Sequence, residues 1–355
     1  SIPVLTHGRL SNYEKASAAL RDGICDYAVI GRGLIADPDM PNKLAEGRPE
    51  DILPCISCNE GCIGSVLKGV HLRCALNPYA GFEDERKAPV AETPKRVLVV
   101  GGGPGGCTAA LLAKQAGHEV ELWERSGTIG GKTLAASAPY MKADMLRLPN
   151  YYNVQLIKAG VPVRFFKEAN RETVTEFAPD VLIWAAGGDV VRPKSIPGLD
   201  RSNVYSCEEA LRNYVPLGKH LAIIGGGQVG IEAAIHFNTV GHDVTVVEMA
   251  DKLMPDPPFV QNANVLKELM AAGTGTYLTG TKLVEVDAEG IVVETAEGKR
   301  HIDCDTVLLA MGWAPDASRG EELSDICRVI PVGDSSKCRN ILAATTEAYE
   351  AVASI

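Results

Sequence analysis

The sequence contains no apolar run approaching the roughly 20 residues that cross a bilayer, and residues 1–20 lack the basic start and apolar core of an export signal. It has no basic stretch either: 35 Lys and Arg stand against 45 Asp and Glu, a formal charge of -10. These absences argue against a helical membrane anchor and against nucleic acid as a partner, because tracking phosphates requires clustered cations. An initiator methionine is also lacking. Ser1 leads directly into the apolar run 2–5, so the sequence reads as a chain whose beginning is missing. Its 355 residues are enough for two or three domains, each with its own core.

Cysteine, by contrast, is plentiful. Ten cysteines without an export signal point to a reducing, cytoplasmic setting, where clustered thiols bind metal more often than they pair. Cys25, Cys107, Cys207, Cys304, Cys327 and Cys338 are scattered and read as small buried side chains. Cys55, Cys58, Cys62 and Cys74 instead form C-x2-C-x3-C-x11-C. Thiolates of this kind suit zinc or an iron–sulfur cluster. Structural zinc usually draws on two separated C-x2-C pairs, whereas three close cysteines and a distant fourth more often hold a cluster. A [4Fe-4S] cluster is expected and zinc is the alternative; the spacing alone does not set the nuclearity.

Residues 1–48 read as strand, helix, strand, helix. Ser11-Asn12-Tyr13-Glu14 has capping-box spacing before an alanine-rich helix that Gly23 would end, 26–30 is a buried strand, and Asp37-Pro38 looks like a helix start. Two such units do not close a sheet. From 48 to 92 periodicity is lost, as in a metal-organised loop followed by a linker. The charged run 83–87 reads as solvated surface.

Residues 95–124 and 219–248 then repeat the same order of strand, glycine-rich turn, helix and strand. In the first copy Gly101 permits the tight turn and Gly103, followed by Pro104 and Gly105, lets backbone approach a pyrophosphate. Gly106 lets helix and strand pack, and Glu124 supplies a carboxylate for ribose hydroxyls. The second copy has Gly225, Gly227, Gln228, Val229 and Gly230, with Glu248 closing its second strand. An acidic residue there favours an unmodified ribose over a 2′-phosphate, and no arginine follows in 249–256, so NADH is expected rather than NADPH. Apolar strands end at Gly187 and Gly312, and residues 281–311 alternate like an antiparallel hairpin around Asp287-Ala288-Glu289-Gly290.

Two fingerprints, Gly130-Gly131, Gly187, Gly312 and the late Val332-Gly333-Asp334 resemble two-dinucleotide-domain flavoproteins. Gly31-Arg32-Gly33-Leu34-Ile35-Ala36-Asp37-Pro38, Pro54-Cys55-Ile56-Ser57-Cys58-Asn59-Glu60-Gly61-Cys62 and Cys74-Ala75-Leu76-Asn77-Pro78 resemble the 2,4-dienoyl-CoA reductase and enoate reductase family, the iron–sulfur members of the old yellow enzyme superfamily.

The resemblance implies an α/β fold of two Rossmann-like domains, the NAD(P) domain inserted in the FAD domain. A cluster loop and the last two βα units of an FMN-binding (β/α)8 barrel would precede them. The implied spans are 1–48 for the barrel remnant, 49–94 for the cluster loop and linker, 95–214 and 313–355 for the FAD domain, and 215–312 for the NAD(H) domain.

It further implies FAD on the first turn with Gly131, Lys132, Gly187 and Asp334, and NADH on the second with Gly312. FMN phosphate would lie at Gly8, Arg9, Gly31 and Arg32, with FMN held only in the full-length protein. Electrons would pass from NADH to FAD, to the cluster and to FMN, for reduction of a small α,β-unsaturated carbonyl substrate of the enoate or enoyl-CoA class. The family's substrate-protonating tyrosine and histidine lie in the missing segment, so no residue here inherits a catalytic role. The chain alone is expected to show only NADH:acceptor activity. Alternatives are an electron-transfer partner of a separate barrel protein, a fragment of a trimethylamine-dehydrogenase-like enzyme, and a zinc-stapled oxidoreductase. The oligomeric state is left open, a homo-oligomer included.

Overall fold

Val97, Leu98 and Val99 are fully buried in the strand Arg96–Val100, the unbroken apolar run that a strand covered on both faces requires. A computed structural model describes residues 2–255 and 260–355; Ser1 and Asp256, the last residue of the arginine-free stretch, lie outside the described residues. The chain divides into two units, one of 1–133, 144–188 and 315–355 and the other of 134–143 and 189–314.

In the first unit Arg96–Val100 is the central strand of a parallel five-stranded sheet. Glu119–Glu124 and Val163–Phe165 lie on one side, Val181–Trp184 and Arg328–Pro331 on the other. The helix Pro104–Ala116 follows the central strand and packs against Ile341–Ala353, near the chain's end. Leu98, Trp123, Val174, Leu182, Trp184 and Leu323 fill one core cluster of this unit.

The same unit contains the N-terminal residues. Leu5–Thr6 and Tyr27–Ala28 pair in parallel, with the helix Tyr13–Arg21 between them. Its cap is Asn12, whose Oδ1 accepts the Lys15 N–H at 3.0 Å, and not the expected Ser11. Asn caps as well as Ser, and here it is Asn12 that has the extended backbone a cap requires. The helix does end before Gly23, whose φ is +68°. The expected start at Asp37-Pro38 is instead a break between Arg32–Ala36 and Met40–Ala45. Asp37 is buried there and accepts from the Asp39 N–H (3.1 Å), the Leu53 N–H (2.8 Å) and Lys43 Nζ (2.7 Å).

The second unit has its own parallel sheet, ordered Thr276–Leu278, Asp243–Val247, His220–Ile224, Thr306–Leu309, Val204–Ser206. Its edge strand pairs Val204 with Val307, so this unit begins upstream of the expected residue 215. Residues 134–143 also belong to it, because Ala135 is buried with Cys207, Leu211 and Ile231 while Ala138 and Met141 pack alongside. The expected hairpin proves to be three antiparallel strands, Lys282–Val286, Gly290–Thr295 and Gly298–Asp303. A second tight turn ends at Gly298, with φ +119°. Leu283, Val286, Ile291 and Val293 cover Ala222, Ile224, Val307 and Leu309 on one face of the parallel sheet.

Candidate functional site

The first turn leaves its strand at Gly101, whose φ is +106° and whose N–H donates to the Trp123 carbonyl at 2.8 Å. A Cβ on Gly101 would lie 2.2 Å from the Ala185 oxygen, and one on Gly106 would lie 1.9 Å from the Gly101 oxygen. Only glycine fits either place. Gly103 differs: it caps the helix with extended backbone, and its Cβ direction opens on space, the nearest atom being the Gly131 Cα at 4.0 Å. No side chain caps this helix, an arrangement whose first amides can receive an anion.

Glu124 braces the turn. Its Oε2 accepts the Gly102 N–H and its Oε1 the Ser126 N–H, both at 2.7 Å. These two bonds use about half of the carboxylate's roughly four acceptor positions. Gly131 approaches Gly103 so closely that a Cβ on it would sit 3.0 Å from the Gly103 Cα. Lys132 Nζ lies 3.0 Å from Asp334 Oδ2, and the Gly187 N–H donates to Ser335 Oγ at 3.0 Å. The predicted Gly131, Lys132, Gly187 and Asp334 are thus linked by contacts around this turn. Ser335 and Glu347, whose Oε2 accepts the Gly333 N–H at 2.7 Å, were not foreseen. Ser335 adjoins the Gly-Asp pair, whereas Glu347 carries no sequence signal.

The second turn repeats this geometry in the other unit. Gly225 has φ +113° and donates to the Val247 carbonyl at 2.9 Å, and a Cβ on Gly230 would lie 1.9 Å from the Gly225 oxygen. Gly227 faces open space. Glu248 accepts the Gly226 N–H at 2.6 Å and the Ala250 N–H at 2.7 Å. Gly312 has φ +93° with nothing near its missing Cβ, and Val229 packs into the core. Gln228 Nε2 donates to Glu232 Oε1 at 2.8 Å, and Lys142 Nζ holds the other oxygen of this buried carboxylate at 2.8 Å. Glu232 and Lys142 were missed, since 90 residues of sequence separate them.

Cys55, Cys58, Cys62 and Cys74 line one cavity with Arg32, Ile35, Ile56 and Leu76; it has about 330 Å³ of space between atoms, part of it solvent. Ser57 and Asn59, on either side of Cys58, both have positive φ, at +57° and +63°. Burial pushes the Cys58, Cys62 and Cys74 thiols up, while backbone N–H groups oppose it at each. Among the described residues no group of three or more His, Cys, Asp or Glu side chains converges to hold a single metal ion.

Of the residues expected at an FMN phosphate, Gly8 and Arg9 have φ +109° and +51°, and Gly31 precedes the short helix Arg32–Ala36. Arg9 pairs with Asp144, which also accepts Ser57 Oγ at 3.0 Å. Arg32 donates to Asn59 Oδ1 at the cysteine cavity. Among the described residues no helix is long and apolar enough to cross a membrane.

The family model for pyridine nucleotide-disulphide oxidoreductases matches residues 95–324, taking in both turns. The chain belongs to that family. This oxidoreductase is also similar over all its length to a cinnamate reductase of Clostridium sporogenes, at 33% identity, and over 99% of it to an NADH oxidase of Thermoanaerobacter brockii, at 35%. Among solved structures, a 2-naphthoyl-CoA reductase complex superposes over the whole chain with a TM-score of 0.95 and 32% identity. These matches bear out the resemblance to the enoate reductase family. The chain spans about half the length of each, 53%, 55% and 54% respectively.

Proposed function

We propose that this chain is the NADH-oxidising, electron-input part of a flavin and iron–sulfur ene reductase. The observation that carries the reading is the shared unit: the first dinucleotide turn and the cavity lined by four cysteines both belong to 1–133, 144–188 and 315–355. The bound groups would supply hydride acceptance from NADH by FAD and single-electron transfer through a [4Fe-4S] cluster. In a protein that also carries a barrel, electrons would continue to FMN for reduction of an enoate- or enoyl-CoA-type substrate.

The residues of this chain bind and orient. Gly101, Gly103 and Gly106 with the amides after Pro104 and Gly105 take the FAD pyrophosphate, Glu124 its ribose, and Gly131, Lys132, Gly187 and Asp334 the flavin end. Gly225, Gly227, Gln228, Val229, Gly230 and Gly312 receive NADH, and Glu248 disfavours a 2′-phosphate by charge. The cysteine spacing supports a cluster over zinc, because structural zinc usually draws on two separated C-x2-C pairs whereas three close cysteines and a distant fourth more often hold a cluster. FMN we assign only to the full-length protein, because two βα units do not close a barrel around it; here Arg9 pairs with Asp144 and Arg32 with Asn59.

The exposed apolar side chains of Ile2, Leu5, Ile24 and Tyr27 support a further polypeptide body against the first two strands. The four clustered cysteines, read as cluster ligands, support a reducing, cytoplasmic setting.

The test is anaerobic isolation, release of flavin for comparison with FAD and FMN, and assay of iron and acid-labile sulfide. FAD, iron and sulfide, with NADH oxidation by an artificial acceptor and no enoate reduction, are expected. Zinc in place of iron, or an NADH titration that leaves the flavin oxidised, would refute the reading.

A further inference from the structure

Thr345 is fully buried in the helix Ile341–Ala353, 270 residues downstream of the cysteine loop, yet its hydroxyl reaches that loop. Its Oγ1 donates to the Ala75 carbonyl at 2.7 Å; the carbonyls of Ile341 and Leu342 in its own helix are farther, at 3.1 and 3.3 Å. A hydroxyl has one proton, and the shortest contact takes it. The peptide whose carbonyl is held in this way joins Ala75 to Leu76. The N–H of the same peptide donates to Cys74 Sγ at 3.4 Å. In a planar trans peptide C=O and N–H point in opposite directions, so fixing one aims the other. The helix bearing Thr345 itself packs against the helix Pro104–Ala116, which opens at the first dinucleotide turn.

We propose that Thr345 is a positioning residue that holds the 75–76 amide on the Cys74 sulfur and thereby raises the reduction potential of the group the cysteines bind. The inference rests on the cluster reading above. Hydrogen bonds to cluster sulfurs are among the levers on potential, and an N–H donor stabilises the more negative, reduced form more than the oxidised one. Losing its orientation lowers the potential.

Thr345→Val keeps shape and removes the hydroxyl, and Thr345→Ser restores it. In the anaerobically isolated protein, redox titration followed by electron paramagnetic resonance should show T345V with a reduced-to-oxidised ratio at least about threefold lower at the wild-type midpoint. That is roughly 30 mV at 59 mV per tenfold for one electron. T345S should stay within a third of that shift. In metal-free protein, amide exchange of the peptide spanning residues 75–77 should be at least about tenfold faster in T345V than in T345S. Thr345→Ala serves if T345V does not fold. A wild-type potential and wild-type exchange in the hydroxyl-free variant overturn the inference. Wild-type protein without iron removes the cluster reading instead, and the exchange comparison still decides the tie between Thr345 and residue 75.

Discussion

Gly106 and Gly101 approach so closely that a single added methyl carbon on residue 106 would lie 1.9 Å from the carbonyl oxygen of residue 101. Gly230 and Gly225 stand in the same relation, at the same distance, in the other unit. Backbone cannot yield here without moving helix off strand, so the two positions make separable probes of the two turns. Gly106→Ala is expected to yield protein with less than a tenth of the wild-type FAD. Gly230→Ala is expected to keep its FAD and weaken NADH at least about tenfold, roughly 1.4 kcal/mol. Flavin content per chain and an anaerobic NADH titration check both.

Glu248 braces its turn through the N–H groups of Gly226 and Ala250, and in the proposed function its charge disfavours a 2′-phosphate. Glu248→Ala is expected to lower kcat/KM for NADH by about tenfold or more and to raise that for NADPH relative to NADH, since the repulsion of a 2′-phosphate goes with the carboxylate. Steady-state assays with both nucleotides and an artificial acceptor measure the ratio. An unchanged preference would move nucleotide selection elsewhere.

Lys142 and Glu232 form an ion pair in which the carboxylate is buried and the lysine is a quarter exposed. Removing the lysine strands a buried charge. Fully buried pairs lose about 3–5 kcal/mol on such a change, and solvent at Lys142 reduces this to about 1–3 kcal/mol for Lys142→Met. The double variant Lys142→Met with Glu232→Gln is expected to recover more than half of the loss. Denaturant melts of the four proteins complete the cycle.

His301 lies between Asp287, 3.1 Å from Nε2, and Asp303, 2.9 Å from Nδ1. The hydrogen bond to Asp287 is the main reason its imidazole titrates above the ordinary 6.5, and Asp303 adds to it. A raised folded-state pKa contributes stability that is complete below the unfolded value of 6.5 and disappears as pH rises through the folded value. The three-stranded sheet should therefore be slightly tighter below pH 6.5 than at pH 8. Asp287→Asn should return the His301 titration, followed by NMR, toward its ordinary value. A midpoint at or below 6.5 in the wild-type protein would contradict this.

The repeated strand–turn–helix units were legible in the sequence because glycine spacing reports a local steric requirement: Gly106 and Gly230 each face a carbonyl of their own turn, whereas the carbonyls that Gly101 and Gly225 face, those of Ala185 and Ala310, come from strands much later in the chain. The four cysteines were legible for a similar reason, their loop being one continuous stretch. The cap of the first helix was read one residue early, since Ser11 and Asn12 are both good caps and neighbouring backbone angles choose between them. The extent of the second unit was not legible either. Val204–Ser206 joins its sheet through Val307, about a hundred residues later, and Ala135 enters its core from a segment between two parts of the first unit.

The sequence by itself determined two nucleotide turns, their glutamates and a four-cysteine loop, because each depends on residues close along the chain and on sterics that only glycine, or chemistry that only thiolate, meets. Tertiary structure alone decided what braces them: Lys142 on Glu232, Asp144 on Arg9 and Ser57, Thr345 on the carbonyl of Ala75. Those partners are ordinary residues far apart in sequence, and nothing in their local pattern distinguishes them from solvated side chains until packing buries one polar group and leaves another within reach to satisfy it.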